Sequence, residues 1–85
     1  MFEILIADDS ETFRYTLSSD LKERGYTVHQ ASDGIEALKL LRQTEQIDLI
    51  ILDVNMPGAD GLEVLEVCQK ENLLKDKIVF MLTAN

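Results

Sequence analysis

Asp48-Leu49-Ile50-Ile51-Leu52-Asp53-Val54-Asn55-Met56-Pro57-Gly58-Ala59-Asp60-Gly61-Leu62-Glu63 changes character twice within one short stretch. Leu49 to Leu52 is an unbroken aliphatic run bounded by acids, which suits a strand buried on both faces of a parallel sheet. Asp53 then stands at the carboxyl end of that strand. Asp60-Gly61-Leu62-Glu63 reads as a helix start, an acidic N-cap with Glu at the third helical position, much like a capping box. Leu62, Val64 and Leu65 carry an apolar side onward to Cys68. Strand, acid, loop and capped helix form one βα unit.

The same unit recurs on either side. Ile4-Leu5-Ile6-Ala7 and Ile78-Val79-Phe80-Met81-Leu82 are nearly continuous apolar strings, whereas Thr27-Val28-His29-Gln30-Ala31 is half polar, as an edge strand should be. Between the first two strands Phe13, Leu17 and Leu21 fall at i, i+4 and i+8, and Gly25 supplies a C-terminal stop. The next helix opens with Asp33-Gly34-Ile35-Glu36 and shows Ile35, Leu38 and Leu41, with Ala37 beside them. The alternation is βαβαβαβ with connections too long for hairpins, so parallel strands joined by right-handed helical crossovers are expected. No linker or low-complexity tract interrupts it, and residues 1–85 read as a single domain.

Composition narrows the function. Sixteen acidic residues against eight basic ones give a formal net charge of −8. A phosphate backbone repels such a surface, so nucleic-acid binding by this segment is not expected. Apolar runs fall well short of the roughly 20 residues a membrane span needs, and Met1-Phe2-Glu3-Ile4 has no basic leader region, so neither a membrane nor secretion is implied. The single cysteine, Cys68, fits a reducing cytoplasm.

Much of the acid is a solvated surface, but three carboxylates are placed differently. Asp8 and Asp9 directly follow the first strand and Asp53 directly follows the third. In open parallel α/β sheets, ligands bind outside the carboxyl ends of the strands. If strands one and three are neighbours, the three acids meet there. One carboxylate pair at ~4 Å costs about 4 kcal/mol at an effective dielectric near 20. A divalent cation offsets that repulsion, and Mg²⁺ suits an all-oxygen site that keeps several waters.

The strings Ile4-Leu5-Ile6-Ala7-Asp8-Asp9-Ser10, Asp33-Gly34-Ile35-Glu36-Ala37-Leu38, Asp48 to Glu63 and Leu82-Thr83-Ala84 together resemble the receiver domains of two-component response regulators. The resemblance implies a flavodoxin-like three-layer α/β fold, with four parallel strands in the order 2-1-3-4 and three helices. It implies that Asp53 is the phosphoacceptor, that Asp9 binds Mg²⁺ directly, and that Asp8 holds it mainly through water. Asn55 matches the position whose backbone carbonyl completes the metal site. Thr83 matches the hydroxyl that follows the phosphoryl group after transfer, and Pro57, Gly58 and Gly61 match the loop after the acceptor. The implied donor is a phosphohistidine of a sensor histidine kinase or phosphotransfer protein. The implied role is a phosphorylation-controlled interaction module of the cytoplasm, not an enzyme with an external substrate.

The resemblance also implies further elements: another helix, a fifth strand, a last helix, a lysine that contacts the phosphoryl group and a switch aromatic. Their absence from this sequence leaves Ile78 to Leu82 as an apolar edge and suggests a homo-oligomer formed through it. The alternative function is a truncated receiver acting as an inactive oligomerisation or interaction module. A Mg²⁺-dependent phosphohydrolase of the haloacid-dehalogenase type would want an acid two residues after the nucleophile, where Asn55 stands. A flavin protein of the same fold would need a phosphate-binding loop after the first strand, where Asp8 and Asp9 repel phosphate.

Other side chains read as structural. His29 reads as a surface residue of the edge strand and Cys68 as a packed thiol. Phe13, Tyr15 and Tyr26 read as core or edge packing. Lys70, Lys75 and Lys77 read as solvated charge before the fourth strand.

Overall fold

The aliphatic runs become strands and the capped segments become helices, in a computed structural model that describes residues 2–82. The order is β1 (Glu3–Ala7), α1 (Glu11–Glu23), β2 (Thr27–Ala31), α2 (Gly34–Gln43), β3 (Ile47–Asp53), α3 (Gly61–Glu71) and β4 (Ile78–Leu82). The strands form one parallel sheet in the order β2-β1-β3-β4, as the resemblance implied.

Alternation along each strand sorts the core into two faces. Leu5 and Ala7 of β1, Ile50 and Leu52 of β3, and Ala31 of β2 point toward α2 and α3, where they meet Leu38, Leu41, Val64 and Cys68. Ile4 and Ile6 are just as buried and belong to the opposite face. There α1 lies over β2 and β1, and the Gln30 amide donates to the hydroxyl of Ser18 at 3.2 Å. The result is a helix–sheet–helix sandwich. Cys68 is fully enclosed, and burial pushes its thiol up to about 11, which makes it a packing group.

The register between β1 and β3 contains a bulge. Glu3 pairs with Ile47 but Ile4 pairs with Leu49, so Asp48 is the extra residue. Its carboxylate repairs the ladder by accepting from the Glu3 amide at 2.8 Å. Beyond the bulge the pairing runs cleanly to Ala7 beside Leu52.

The helix caps follow the sequence with one difference. Asp60 and Glu63 form the full reciprocal capping box of α3. Asp33 caps α2 by accepting from the Glu36 amide, but the Glu36 side chain reaches past it to the Ser32 amide. Gly25 follows α1 at φ +93°, a backbone setting glycine adopts without cost.

Several packing expectations need correction. Tyr15 is 72% exposed, Ile35 65% and Leu62 60%, and Phe13 and Tyr26 also face outward; the side chain that α1 fully buries is Ser18. The apolar spacing of α1 overstated its burial: the helix lies over β2 and β1, but Leu17 and Leu21 are only half-buried and Phe13 is exposed. Tyr26, though partly exposed, packs as expected, meeting Phe2 edge-on with ring centres 5.8 Å apart. Lys77 is no solvated charge: its ammonium donates to the carbonyls of Glu45 at 2.7 Å and Ile47 at 2.6 Å. Lys70 lies within α3, beside Glu66.

α3 starts hard against the strand that ends in Asp53. A Cβ on Gly61 would collide with the Asp53 carbonyl oxygen and the Val54 Cα, while the Gly61 amide donates to the Val54 carbonyl at 2.9 Å. Gly61→Ala is therefore expected to destabilise the fold by about 1–3 kcal/mol, the usual scale for overpacking a tight site. A urea-denaturation midpoint indistinguishable from the parent would show that the helix start can give way.

Candidate metal and phosphoryl site

Strand register assembles the acids. With Ala7 beside Leu52, the next residues of the two strands, Asp8 and Asp53, come out side by side. Parity sends both toward the face of Ile6 and Ile51, and Asp9 begins the turn into α1. Oxygen atoms of Asp8, Asp9 and Asp53 all lie within 4.8 Å of one another. Asp8 and Asp53 are buried, at 9% and 8% exposure, and Asp9 is exposed. The three acids singled out in the sequence converge at the carboxyl edge of the sheet.

Each buried acid is held by the backbone that follows it. The Ser10 amide donates to Asp8 Oδ1 at 2.8 Å, and the Asn55 amide donates to Asp53 Oδ1 at 3.1 Å. These are the short-range turns that Asp forms readily after a strand. They anchor one oxygen of each carboxylate. Neighbouring strands brace the two residues from behind, through the Asp8 amide donating to the Ala31 carbonyl at 3.1 Å and the Val54 amide donating to the Leu82 carbonyl at 3.0 Å.

Burial raises the Asp53 carboxyl above the ordinary carboxylate value, and the negative charges of Asp8 and Asp9 push the same way. The amides of Asn55 and Val54 oppose them by donating to the ionised form. Asp53 is therefore a buried anion held beside two others, with hard oxygen donors on three residues. That donor set fits Mg²⁺, which takes oxygen ligands and tolerates a site open to water.

Asn55 is exposed, and its amide, not its side chain, is the part engaged with Asp53. Thr83 lies outside the described residues. His29 is remote from the acids and pairs with Glu3, Nε2 to Oε1 at 2.8 Å. Two contributors escaped the reading of the sequence. Ser10 anchors Asp8 through its amide and caps α1 by accepting from the Phe13 amide at 3.2 Å. Arg14 donates from Nη1 to the Asp8 carbonyl at 2.7 Å. A serine just before a helix was a readable cap signal; an arginine on the first turns of α1 carried no comparable signal.

The direction of the Asp53 shift also fixes how the acid bears on stability. A carboxyl whose folded value lies above its unfolded value, ordinarily 3.8, favours the native state when protonated. That contribution is present at low pH and is lost as pH rises through the folded value. Asp53→Asn, which removes the charge and keeps an oxygen for the Asn55 amide, is expected to melt higher than the parent at neutral pH. The gain should vanish as pH falls below the ordinary carboxylate range. A lower melting temperature for Asp53→Asn at pH 7 would contradict the raised value.

Comparison with known proteins agrees with this architecture. The profile of the response regulator receiver domain matches residues 4–85. The chain is 44% identical over 82 residues to the alkaline phosphatase synthesis transcriptional regulatory protein PhoP of Bacillus subtilis, covering 96% of this chain and 33% of that protein. It superposes on the chemotaxis response regulator CheY4 of Vibrio cholerae with a TM-score of 0.92 at 36% identity, covering 100% of this chain and 70% of that one. The response regulator TrrA of Thermotoga maritima, solved in complex with Mg²⁺-BeF, gives a TM-score of 0.87 at 41% identity over 100% of this chain and 71% of that one. The chain thus spans about a third of the length of the first of these relatives.

Proposed function

The chain belongs to the response regulator receiver domain family, whose general function is phosphorylation on an aspartate, and on that footing we propose that Asp53 is its phosphoacceptor. The observation that carries this reading is the convergence of Asp8, Asp9 and Asp53 within 4.8 Å at the carboxyl edge of the sheet. Asp53 stands at the position of the family's acceptor, as the last residue of β3; the Asn55 amide holds one of its oxygens, as the Ser10 amide holds one of Asp8. The other oxygen of Asp53 is the nucleophile. It forms a bond to phosphorus as the bond from phosphorus to the donor's imidazole nitrogen breaks, leaving an acyl phosphate on the protein and a free histidine on the donor.

Asp8 and Asp9 are the remaining carboxylate ligands for Mg²⁺, with the Asn55 carbonyl as a further oxygen. When bound, Mg²⁺ supplies the positive charge that lets an anionic nucleophile and an anionic phosphoryl group share one site. The protein's own contribution is positioning: strand register sets the spacing of the acids, and the backbone amides fix their orientation. Thr83 is the hydroxyl that would answer the new charge. The donor is a sensor histidine kinase or phosphotransfer protein, and the setting is the cytoplasm. In this reading residues 1–85 act as one unit, and catalysis is confined to the protein's own phosphorylation and loss of phosphate. No helix among the described residues is long and apolar enough to cross a membrane.

The test is intact-mass spectrometry after incubation with Mg²⁺ and a small-molecule phosphodonor, beside Asp53→Asn. A phosphate adduct is expected on the parent only, and it should disappear when Mg²⁺ is chelated. An adduct of equal yield on Asp53→Asn would move the acceptor elsewhere.

A second reading concerns assembly. On β4, Ile78 is 56% exposed and Phe80 59%, and β4 is an edge of the sheet among the described residues. An apolar edge strand offers unpaired backbone groups to another strand. The chain is read as self-associating through Ile78 to Leu82, which would let it serve as an oligomerisation module even without phosphorylation. Light scattering should show mass increasing with concentration, and Phe80→Lys should suppress the increase. A strictly monomeric parent at high micromolar concentration would overturn this reading.

A further inference from the structure

Asp9 is exposed, so packing does not aim its carboxylate into the site. The peptide that precedes it is the nearest element able to orient it. The carbonyl of Asp8 and the amide of Asp9 belong to one planar group, and turning the carbonyl turns the direction in which Asp9 leaves the strand. Asp8 is the first residue beyond β1. Its amide still belongs to the sheet, donating to the Ala31 carbonyl, but β2 ends at Ala31 and the ladder goes no further. Arg14 supplies the carbonyl's partner instead, with Nη1 at 2.7 Å in a partly buried setting. The length matches a strong, charge-assisted hydrogen bond. Arg14 is itself fixed in α1, where its amide donates to the Ser10 carbonyl at 3.0 Å, and the Ser10 amide returns to Asp8 Oδ1. The β1–α1 turn is thus a closed set of contacts running from Asp8 to Ser10 to Arg14 and back to Asp8.

We infer that Arg14 is a positioning residue for the cation site, locking the Asp8–Asp9 peptide so that Asp9 faces Asp53. The inference rests on the reading of the three acids as a Mg²⁺ site. A bare electrostatic view of the same residue predicts the opposite sign. A guanidinium beside a cation site repels the ion, so its removal would tighten Mg²⁺ binding. Positioning predicts that removal weakens binding, on the order of tenfold, the usual scale when a partner that orients a metal ligand is lost.

Two measurements on the 85-residue chain decide it: the Mg²⁺ dissociation constant by titration, and the amide resonance of Asp9 in the metal-free protein. Arg14→Met and Arg14→Gln should both bind Mg²⁺ more weakly and shift the Asp9 resonance, while Arg14→Lys, which can still donate to the carbonyl, should recover most of the affinity. If Arg14→Met does not fold, Arg14→Gln carries the same prediction. Unchanged or tighter Mg²⁺ binding in folded neutral variants would overturn the inference, whatever their thermal stability. If the parent itself fails to bind Mg²⁺, the metal reading falls, and the Asp9 resonance still decides the positioning role: an unmoved resonance in folded Arg14→Met or Arg14→Gln overturns it.

Discussion

β1 and β3 lie side by side in a register that sets Ala7 against Leu52, and the acids that follow each strand inherit that alignment. A strand side chain changes faces with every residue, so a slip of one position would turn Asp8 away from Asp53 and bring Leu5 and Ala7 to the wrong layer of the sandwich. Core and site therefore impose the same condition. Leu5 and Ile50 are buried toward α2 and α3 in the arrangement that also sends Asp8 and Asp53 outward at the sheet's edge. The bulge at Asp48 is what reconciles this pairing with the start of both strands, and its carboxylate accepts from the Glu3 amide there.

From that constraint the chemistry follows with few further parts. Burying Asp53 at the sheet's edge raises its carboxyl first of all by desolvation, and the nearby charges of Asp8 and Asp9 add to the rise. The Asn55 and Val54 amides oppose that rise, and the amides of Ser10 and Asn55 fix one oxygen each of Asp8 and Asp53. α3 is set against the peptide of Asp53 through Gly61, where there is no room for a side chain.

Much of this was legible from residues alone because it depends on short-range chemistry. Aliphatic runs marked the strands, Asp60 and Glu63 announced a helix start, and acids immediately after strands pointed to the carboxyl edge. The order of the strands came from family resemblance and not from hydropathy. What stayed hidden depends on three-dimensional neighbours. The bulge at Asp48 arises from the pairing of two distant strands. The exposure of Ile35 and Leu62 reflects how far each helix is covered, which spacing along one helix does not encode. Lys77 looked like loop charge because its partners, the carbonyls of Glu45 and Ile47, lie a whole helix and loop earlier in the chain. Arg14 was invisible for a related reason: its partner is a backbone atom, and backbone atoms leave no trace in residue identity.

The coupling of register to site also bears on how the chain reaches its native state. A β1–β3 pair slipped by two residues would keep each side chain on its own face and retain its hydrogen-bonded strands, yet it would present no three-acid cluster. An ion that binds only where Asp8, Asp9 and Asp53 converge stabilises the correctly aligned sheet and nothing else. Such an ion would act as a proofreader of strand alignment, rewarding one register among near neighbours that backbone hydrogen bonding alone separates weakly.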